Sequence, residues 1–380
     1  MSSKNLLILL YLSVFLGPFG GNTVLALIPS LERFFNTDIS FIAAAITLYM
    51  IPFAFFQLFS GAISDIYGRR HVIIFGLFTF SLASLFCAFS NKIGLFLGAR
   101  ALQGLGSAFI SPIIMAIIGD IFPYEKRGRI MGGYSASITA GVALGPLVGG
   151  FLATIDWRLV FMMLSMFAAL LGFIYILAFE ALGSTLRHNG GIGEVFGRIN
   201  SVLRNKEVLQ LYLMGFVIFF GNIAAMTFLS DALKTTVSED KIGILLSTFG
   251  FLGIATAPVA GYLTDFIGRK RTLFAGLLIM LGAFSIFMCV HSYALFFIPI
   301  SVLGMGREIA LTPLNTMVVE RMPEARGAAS SIYNSFRFLG YGLSPVVTLP
   351  VYLLYGLNGI LLLCICFVLV NILISTRVRE

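Results

Sequence analysis

Residues 61–73 read GAISDIYGRRHVI and residues 261–273 read GYLTDFIGRKRTL. Gly61, Asp65, Gly68 and Arg69 recur two hundred positions later as Gly261, Asp265, Gly268 and Arg269. The register extends outward from this loop. Gly21-Asn22 pairs with Gly221-Asn222, Gly104 and Gly106 with Gly304 and Gly306, and Asp120 with Glu320. After one deletion Arg127-Gly128 matches Arg326-Gly327, and Pro146 matches Pro345. Chance does not hold a register across a whole half. The chain is therefore read as two repeats, 1–180 and 208–380, joined by a basic segment at 181–207.

Composition places both repeats in a membrane. Of 380 residues, 58% are hydrophobic and only 11% charged, with a mean hydropathy of +0.98. A soluble domain carries about 25% charged residues to solvate its surface. A spanning helix needs about 20 apolar residues, because lipid offers backbone groups no partners. Twelve such stretches fall between residues 5 and 376, which predicts an all-α membrane protein of twelve transmembrane helices in two pseudo-symmetric six-helix bundles. The 40 glycines fit this, since small residues let membrane helices approach closely. The first apolar stretch follows Lys4 and is too long for a signal peptide, so it is expected to stay as the first helix.

The net charge of +8 does not point to nucleic acid, because of where the cations lie. With the N-terminus inside, Arg33, Lys92, Arg158, Lys234 and Lys241 fall outside, and most other Lys and Arg fall in cytoplasmic segments. This asymmetry puts both termini of a multi-pass plasma-membrane protein in the cytoplasm. In the joint, Val195, Phe196, Ile199, Val202 and Leu203 recur at helical spacing, which predicts a short amphipathic helix on the lipid surface. Cys87, Cys289, Cys364 and Cys366 all lie in apolar stretches and are read as buried small hydrophobes rather than a disulfide or metal pair. Trp157 is expected as an interfacial anchor. His71, His188 and His291 are far apart in sequence, and no G-x-x-x-x-G-K-[ST] motif is present. The chain is thus expected to be no enzyme, to need no cofactor or metal, and to be driven by a gradient.

Three motifs carry a family resemblance over the whole chain. GAISDIYGRR fits the pattern G-x-x-x-D-x-x-G-R-[KR] after the second span. LGARALQGLGSA in the fourth span fits R-x-x-Q-G-x-G-x-A, and GVALGPLVGG in the fifth fits G-x-x-x-G-P-x-x-G-G. The chain resembles the major facilitator superfamily, and within it the twelve-helix drug/proton antiporters of the bicyclomycin-resistance-like group. The resemblance implies a central cavity between the bundles, lined by spans 1, 4, 7 and 10. It implies that Arg69 bridges Asp65 to Asp120, and the repeat supplies a second set, Asp265, Arg269 and Glu320. With Gly61, Gly68 and Gly268 these form expected latches, Asp65 facing the start of span 11 near residues 327–330 and Asp265 the start of span 5. Gly141, Gly145, Pro146, Gly149 and Gly150 form an expected seal, with Gly145 and Gly149 against the opposite half near Gly250 and Gly253.

Ionisable residues deep in a span cost at least about 2.5 kcal/mol on insertion scales and are functional candidates by default. Arg100, Arg307, Glu308 and Arg337 are four such residues, and Glu308 is the one carboxylate among them. Arg100, Gln103 and Ser107 share a helical face, as do Glu308, Thr312 and Asn315. Asn22 and Asn222 match by repeat, and Phe19, Phe219, Phe220 and Met226 would supply adaptable apolar walls. Glu308, with Arg100, is the candidate for proton coupling. Span 1 lacks the acid common in drug antiporters, and three Arg against one Glu disfavour organic cations. The expected function is export of small amphipathic compounds by a monomer exchanging them for protons. The rivals are uptake or facilitated diffusion of a small anionic metabolite on the same fold and a non-transporting membrane sensor.

Overall fold

The computed structural model describes residues 3–122, 124–178, 205–322 and 326–378, the side chains of 3, 124–129, 178 and 326 excepted. In chain order the helices are α1 (Ser3–Phe35), α2 (Ile39–Tyr67), α3 (Arg69–Phe89), α4 (Ile93–Ala108), α5 (Ser111–Ile121), α6 (Tyr124–Ala153) and α7 (Arg158–Ala178). They continue as α8 (Lys206–Leu233), α9 (Glu239–Phe266), α10 (Arg269–Cys289), α11 (Tyr293–Arg321) and α12 (Arg326–Arg377). Among the described residues eleven helical stretches are long and apolar enough to cross a membrane, with α4 and α5 forming one of them. The last, Gly327–Arg377, is 51 residues long, about twice what one crossing needs. It is interrupted at Gly356, whose φ of 62° and ψ of −159° are not helical. The expected amphipathic helix lies outside the described residues. The last residues of the joint, from Asn205, cap and open α8, where the Asn205 side chain accepts from the Glu207 and Val208 amides.

The repeat is visible in detail. The α2–α3 turn passes through Gly68 at φ 85°, and the α9–α10 turn through Gly268 at φ 92°. Only glycine takes this backbone conformation without strain, which explains its recurrence in the signature. Arg70 donates to the Ile176 carbonyl (2.7 Å) and Lys270 to the Thr376 carbonyl (3.1 Å), so even these contacts keep the two-hundred-residue offset. Packing follows the same symmetry. α6 packs on α1 and crosses to α9, while α12 packs on α8 and crosses to α2.

Large apolar side chains face outward along the helices, among them Phe151, Met166, Leu177, Phe266 and Leu354, all more than 60% exposed. A soluble protein would hide such residues, whereas a bilayer solvates them. Two sequence expectations are corrected. Cys87 and Cys364 are buried, but Cys289 and Cys366 are exposed. Trp157 is only 5% exposed and packs inward against Phe34, Phe35, Phe96 and Phe161 rather than turning its ring outward as an anchor.

Candidate functional site: a cavity between the halves

A cavity of about 200 Å³ lies where α1, α2, α4 and α6 of the first half meet α8, α9, α11 and α12 of the second. Nine expected residues line it: Asn22, Ser107, Phe219, Asn222, Arg307, Glu308, Thr312, Asn315 and Arg337. Glu308 Oε2 sits 3.4 Å from an Arg307 guanidinium nitrogen. Arg337 donates to Asn315 Oδ1 (3.1 Å). Arg337 also lies 4.8 Å from the Phe219 ring centre, and Arg307 lies 4.7 Å from that of Phe249, both within cation–π range. Asn222 is 2% exposed, and among the described residues neither of its amide atoms has a hydrogen-bond partner.

Arg100, Gln103 and Met226 do not line the cavity. The periodicity of α4 is right, but the Arg100 side chain turns behind Tyr49, with its guanidinium 4.3 Å from the ring centre. It is fully buried and donates to the carbonyls of Gly20 (3.1 Å) and Ala45 (3.4 Å) and to Gln103 Oε1 (2.5 Å). Gln103 passes the network to Ser84 Oγ (2.7 Å). Arg100 therefore ties α1, α2 and α4 together from a fully buried position. Met226 and two expected wall residues, Phe19 and Phe220, are buried in packing. Replacing Arg100 with Leu should lower thermal stability clearly, because several buried acceptors lose their donor, each membrane hydrogen bond contributing about 0.6 kcal/mol or more. Ligand affinity at the cavity should hold, and a stable Arg100→Leu protein with lost binding would return Arg100 to the site.

The sequence reading missed Tyr341, whose hydroxyl donates to Asn22 Oδ1 (3.0 Å) across the cavity from α12 to α1. The signal was available: with the one-residue deletion Tyr341 registers on Val142, and both line the cavity. Close by, Thr47 donates to the Gly342 carbonyl (2.5 Å).

The two ends of the molecule differ. At the end carrying the basic α2–α3 and α9–α10 turns, Arg69 pairs with Asp65 (3.4 Å) and lies 2.9 Å from Asp120, the latter a close charge contact without hydrogen-bond alignment. Arg269 pairs with Glu320. These pairs stay within one half.

At the opposite, far end the halves are joined. Glu239 at the start of α9 accepts from Ser30 (2.8 Å) and pairs with Arg33, both on α1. Lys234 bridges Glu32 of α1 (2.8 Å) and Asp231 of α8 (2.7 Å), and Asp231 also accepts from the Tyr352 hydroxyl (2.6 Å). Burial works against the Lys234 charge, but the two carboxylates outweigh it and hold its ammonium above the ordinary lysine range. Glu32, Asp231 and Glu239 are each less than 9% exposed. All three stand near helix ends, so Glu308 keeps its place as the carboxylate deep in a span, but they are more buried than Glu308, whose side chain is 17% exposed.

The seal of α6 is also corrected. A Cβ on Gly141 or Gly145 would press on Phe15 and Phe19 of α1, and one on Gly149 would meet Thr23. These glycines let α6 lie on α1 within the first half. The face turned to the second half is Ala143, Pro146 and Gly150. Gly150 abuts the Glu239 carbonyl and Gly243, Gly243 abuts the Pro146 carbonyl, and Gly250 rests on Ala143. Four-residue spacing draws one stripe, and α6 uses two stripes offset by about 100°. Gly253 lies nearest Arg307 rather than α6.

Comparison with known proteins agrees with this architecture. The sequence profile of the Major Facilitator Superfamily matches residues 10–236 and 211–380. The Bacillibactin exporter of Bacillus subtilis (strain 168) is 26% identical, over 86% of this chain and 85% of that protein. The Multidrug efflux protein YfmO of the same organism is 28% identical, over 84% of this chain and 79% of its own. Among solved structures, a bacterial homolog of the human lysosomal transporter Spinster, in an inward-facing and unoccupied conformation, superposes with a TM-score of 0.82 at 17% identity, covering 100% of this chain and 98% of that one. That likeness concerns the fold alone. With the profile spanning both halves, the chain belongs to the major facilitator superfamily of membrane transporters.

Proposed function

We propose that this transporter exports small amphipathic compounds by alternating access, in exchange for protons carried on Glu308. The observation that carries the reading is the cavity itself. It lies between the halves, is closed at the far end by cross-half contacts, and is lined by a carboxylate already held in an ion pair. Relatives named as an exporter and as a multidrug efflux protein support the outward direction. Counting α12 as two crossings broken at Gly356 gives twelve helices, in two bundles of six related by the repeat. The excess of Lys and Arg at the basic-turn end puts that end and both termini in the cytoplasm. The far end is then the outer one, and the conformation is inward-facing. In the alternate state the Asp65–Arg69–Asp120 and Arg269–Glu320 groups would latch the cytoplasmic side, with Asp65 and Asp265 against helix termini of the other half. The protein would work as a monomer in the plasma membrane.

A second reading has an observation of its own. The cavity holds Arg307 and Arg337 against Glu308, an excess of positive charge that suits uptake of a small anionic metabolite.

Flux in proteoliposomes tests the first reading. A one-unit pH gradient can sustain about tenfold accumulation for a one-proton exchange. Glu308→Gln should reduce this to equilibration, while counterflow exchange of substrate persists, because Gln keeps the shape but cannot ionise. A Glu308→Gln protein that still accumulates substrate in response to the gradient would end the proton-carrier assignment.

A further inference from the structure

The cavity contains more donors than acceptors. Arg307 and Arg337 bring two fixed positive charges, and Glu308 is the one anion among the described lining residues. Among the described residues Glu308 pairs with Arg307 alone, at 3.4 Å, Arg337 has the neutral Asn315 as its side-chain acceptor (3.1 Å), and the Nε atoms of both arginines and both amide atoms of Asn222 are buried without a hydrogen-bond partner. Phe219 lies within cation–π range of both guanidinium groups, at 5.9 Å from Arg307 and 4.8 Å from Arg337. Unanswered donors in a low-dielectric site call for a ligand rich in acceptors.

We infer that Glu308 is the resident counter-ion of this cavity: the anionic group of a ligand replaces it on Arg307, and the displaced carboxylate takes up a proton from water. This rests on the cavity being the substrate site. The groups around Glu308 make the exchange balance. Arg307 precedes it on α11, α12 supplies Arg337, Tyr341 and, against Arg337, Tyr333, and α2 supplies Tyr49. α8 and α9 present Phe219, Asn222 and Phe249, which do not titrate, and among the described residues α10 contributes nothing to the lining. With Glu308 ionised the cavity carries one net positive charge, and with it protonated two. An arriving monoanion together with one proton leaves one positive charge, as before. An anion arriving without the proton would face an ionised Glu308 competing for the same guanidinium.

The sign of the linkage follows. Anion and proton enter the cavity together, so an inward proton gradient drives an anionic ligand inward. A compound exported against that gradient through this site is one without an anionic group. Ligand charge, rather than a different fold, would separate export from uptake in this chain.

Binding measurements on the full-length protein in nanodiscs test this without transport. The probes are naphthalene-2-sulfonate, which stays ionised from pH 5 to 8, and uncharged 2-naphthalenemethanol. Sulfonate affinity should rise as pH falls, by up to about tenfold per pH unit for one linked proton. In weak buffer, binding should take up close to one proton per sulfonate, and the alcohol should take up none. Glu308→Gln should bind the sulfonate at pH 8 as tightly as the native protein does at pH 5, with no proton uptake. A sulfonate affinity that is flat or falls on acidification, absent binding at pH 5, or weaker binding by Glu308→Gln would overturn the inference. Asn222→Leu and Arg307→Gln separate the two levels. If neither changes the affinity of either probe, the ligands bind elsewhere and the cavity reading falls too. Cavity-dependent binding with no pH response overturns the counter-ion alone.

Discussion

Gly150→Leu should drive the far end open and reduce gradient-driven accumulation tenfold or more, in a protein that still folds. A Cβ at Gly150 would clash with the Glu239 carbonyl and lie 3.0 Å from Gly243 Cα. Both are backbone, so no rotamer change relieves the contact, and α6 must move away from α9. Overpacking of this kind costs about 1–3 kcal/mol, enough to shift a two-state balance roughly 5- to 150-fold. The cost falls only on the state in which α6 touches α9, so conformation changes more than overall stability. Thiol labelling of Val142→Cys, a cavity-lining position, in a background without the native cysteines would read the opening from the far side. Gly149→Leu is the control. Its Cβ would meet Thr23 Cγ2 at 2.9 Å on α1, within one half, and should lower thermal stability without changing far-side labelling. Equal labelling in native and Gly150→Leu backgrounds would show that the α6–α9 contact does not close the path.

The contrast between those two glycines shows where the sequence was legible. Helices, repeat and turn glycines follow from patterns local to the chain: apolar runs of membrane length, a two-hundred-residue register and a backbone that needs positive φ at Gly68 and Gly268. Two stripes on one helix are also visible in sequence, but which stripe meets which neighbour is not. That depends on the rotation of α6 about its axis, set by packing against α1 and α9 together. Arg100 fails for a related reason. Its spacing to Ser107 is right, yet a long side chain can turn aside, and Tyr49 stands between its guanidinium and the cavity. Arg307, Glu308 and Arg337 were legible because a charge deep in an apolar span has few uses other than facing a cavity. Tyr341 was harder to see, since a tyrosine among apolar residues carries no such cost.

The far-end charges were the least legible group, and they carry the other large expected effect. In sequence Glu32, Arg33, Lys234 and Glu239 stand at helix ends, where solvated charges are ordinary. Among the described residues Lys234 is the one cation paired with the Glu32 and Asp231 carboxylates, whose side chains are only 8% and 7% exposed. Lys234→Met leaves two like charges close together with no cation between them. Breaking a fully buried pair costs about 3–5 kcal/mol in soluble proteins. The Lys234 side chain is 35% exposed, so solvent screening reduces this to roughly 1–2 kcal/mol. Because Glu32 belongs to one half and Asp231 to the other, the repulsion acts as a wedge. The far-open population should grow about five- to thirtyfold at pH 8, read by the same cavity labelling. Acidification should reverse the change, since protonating either carboxylate removes the repulsion. Arg33→Met is expected to do much less, because the Arg33 side chain is 65% exposed and Ser30 still donates to Glu239. If Lys234→Met labels as the native protein does at pH 8, the clasp is a bystander, and the α6–α9 contact alone keeps the far end shut.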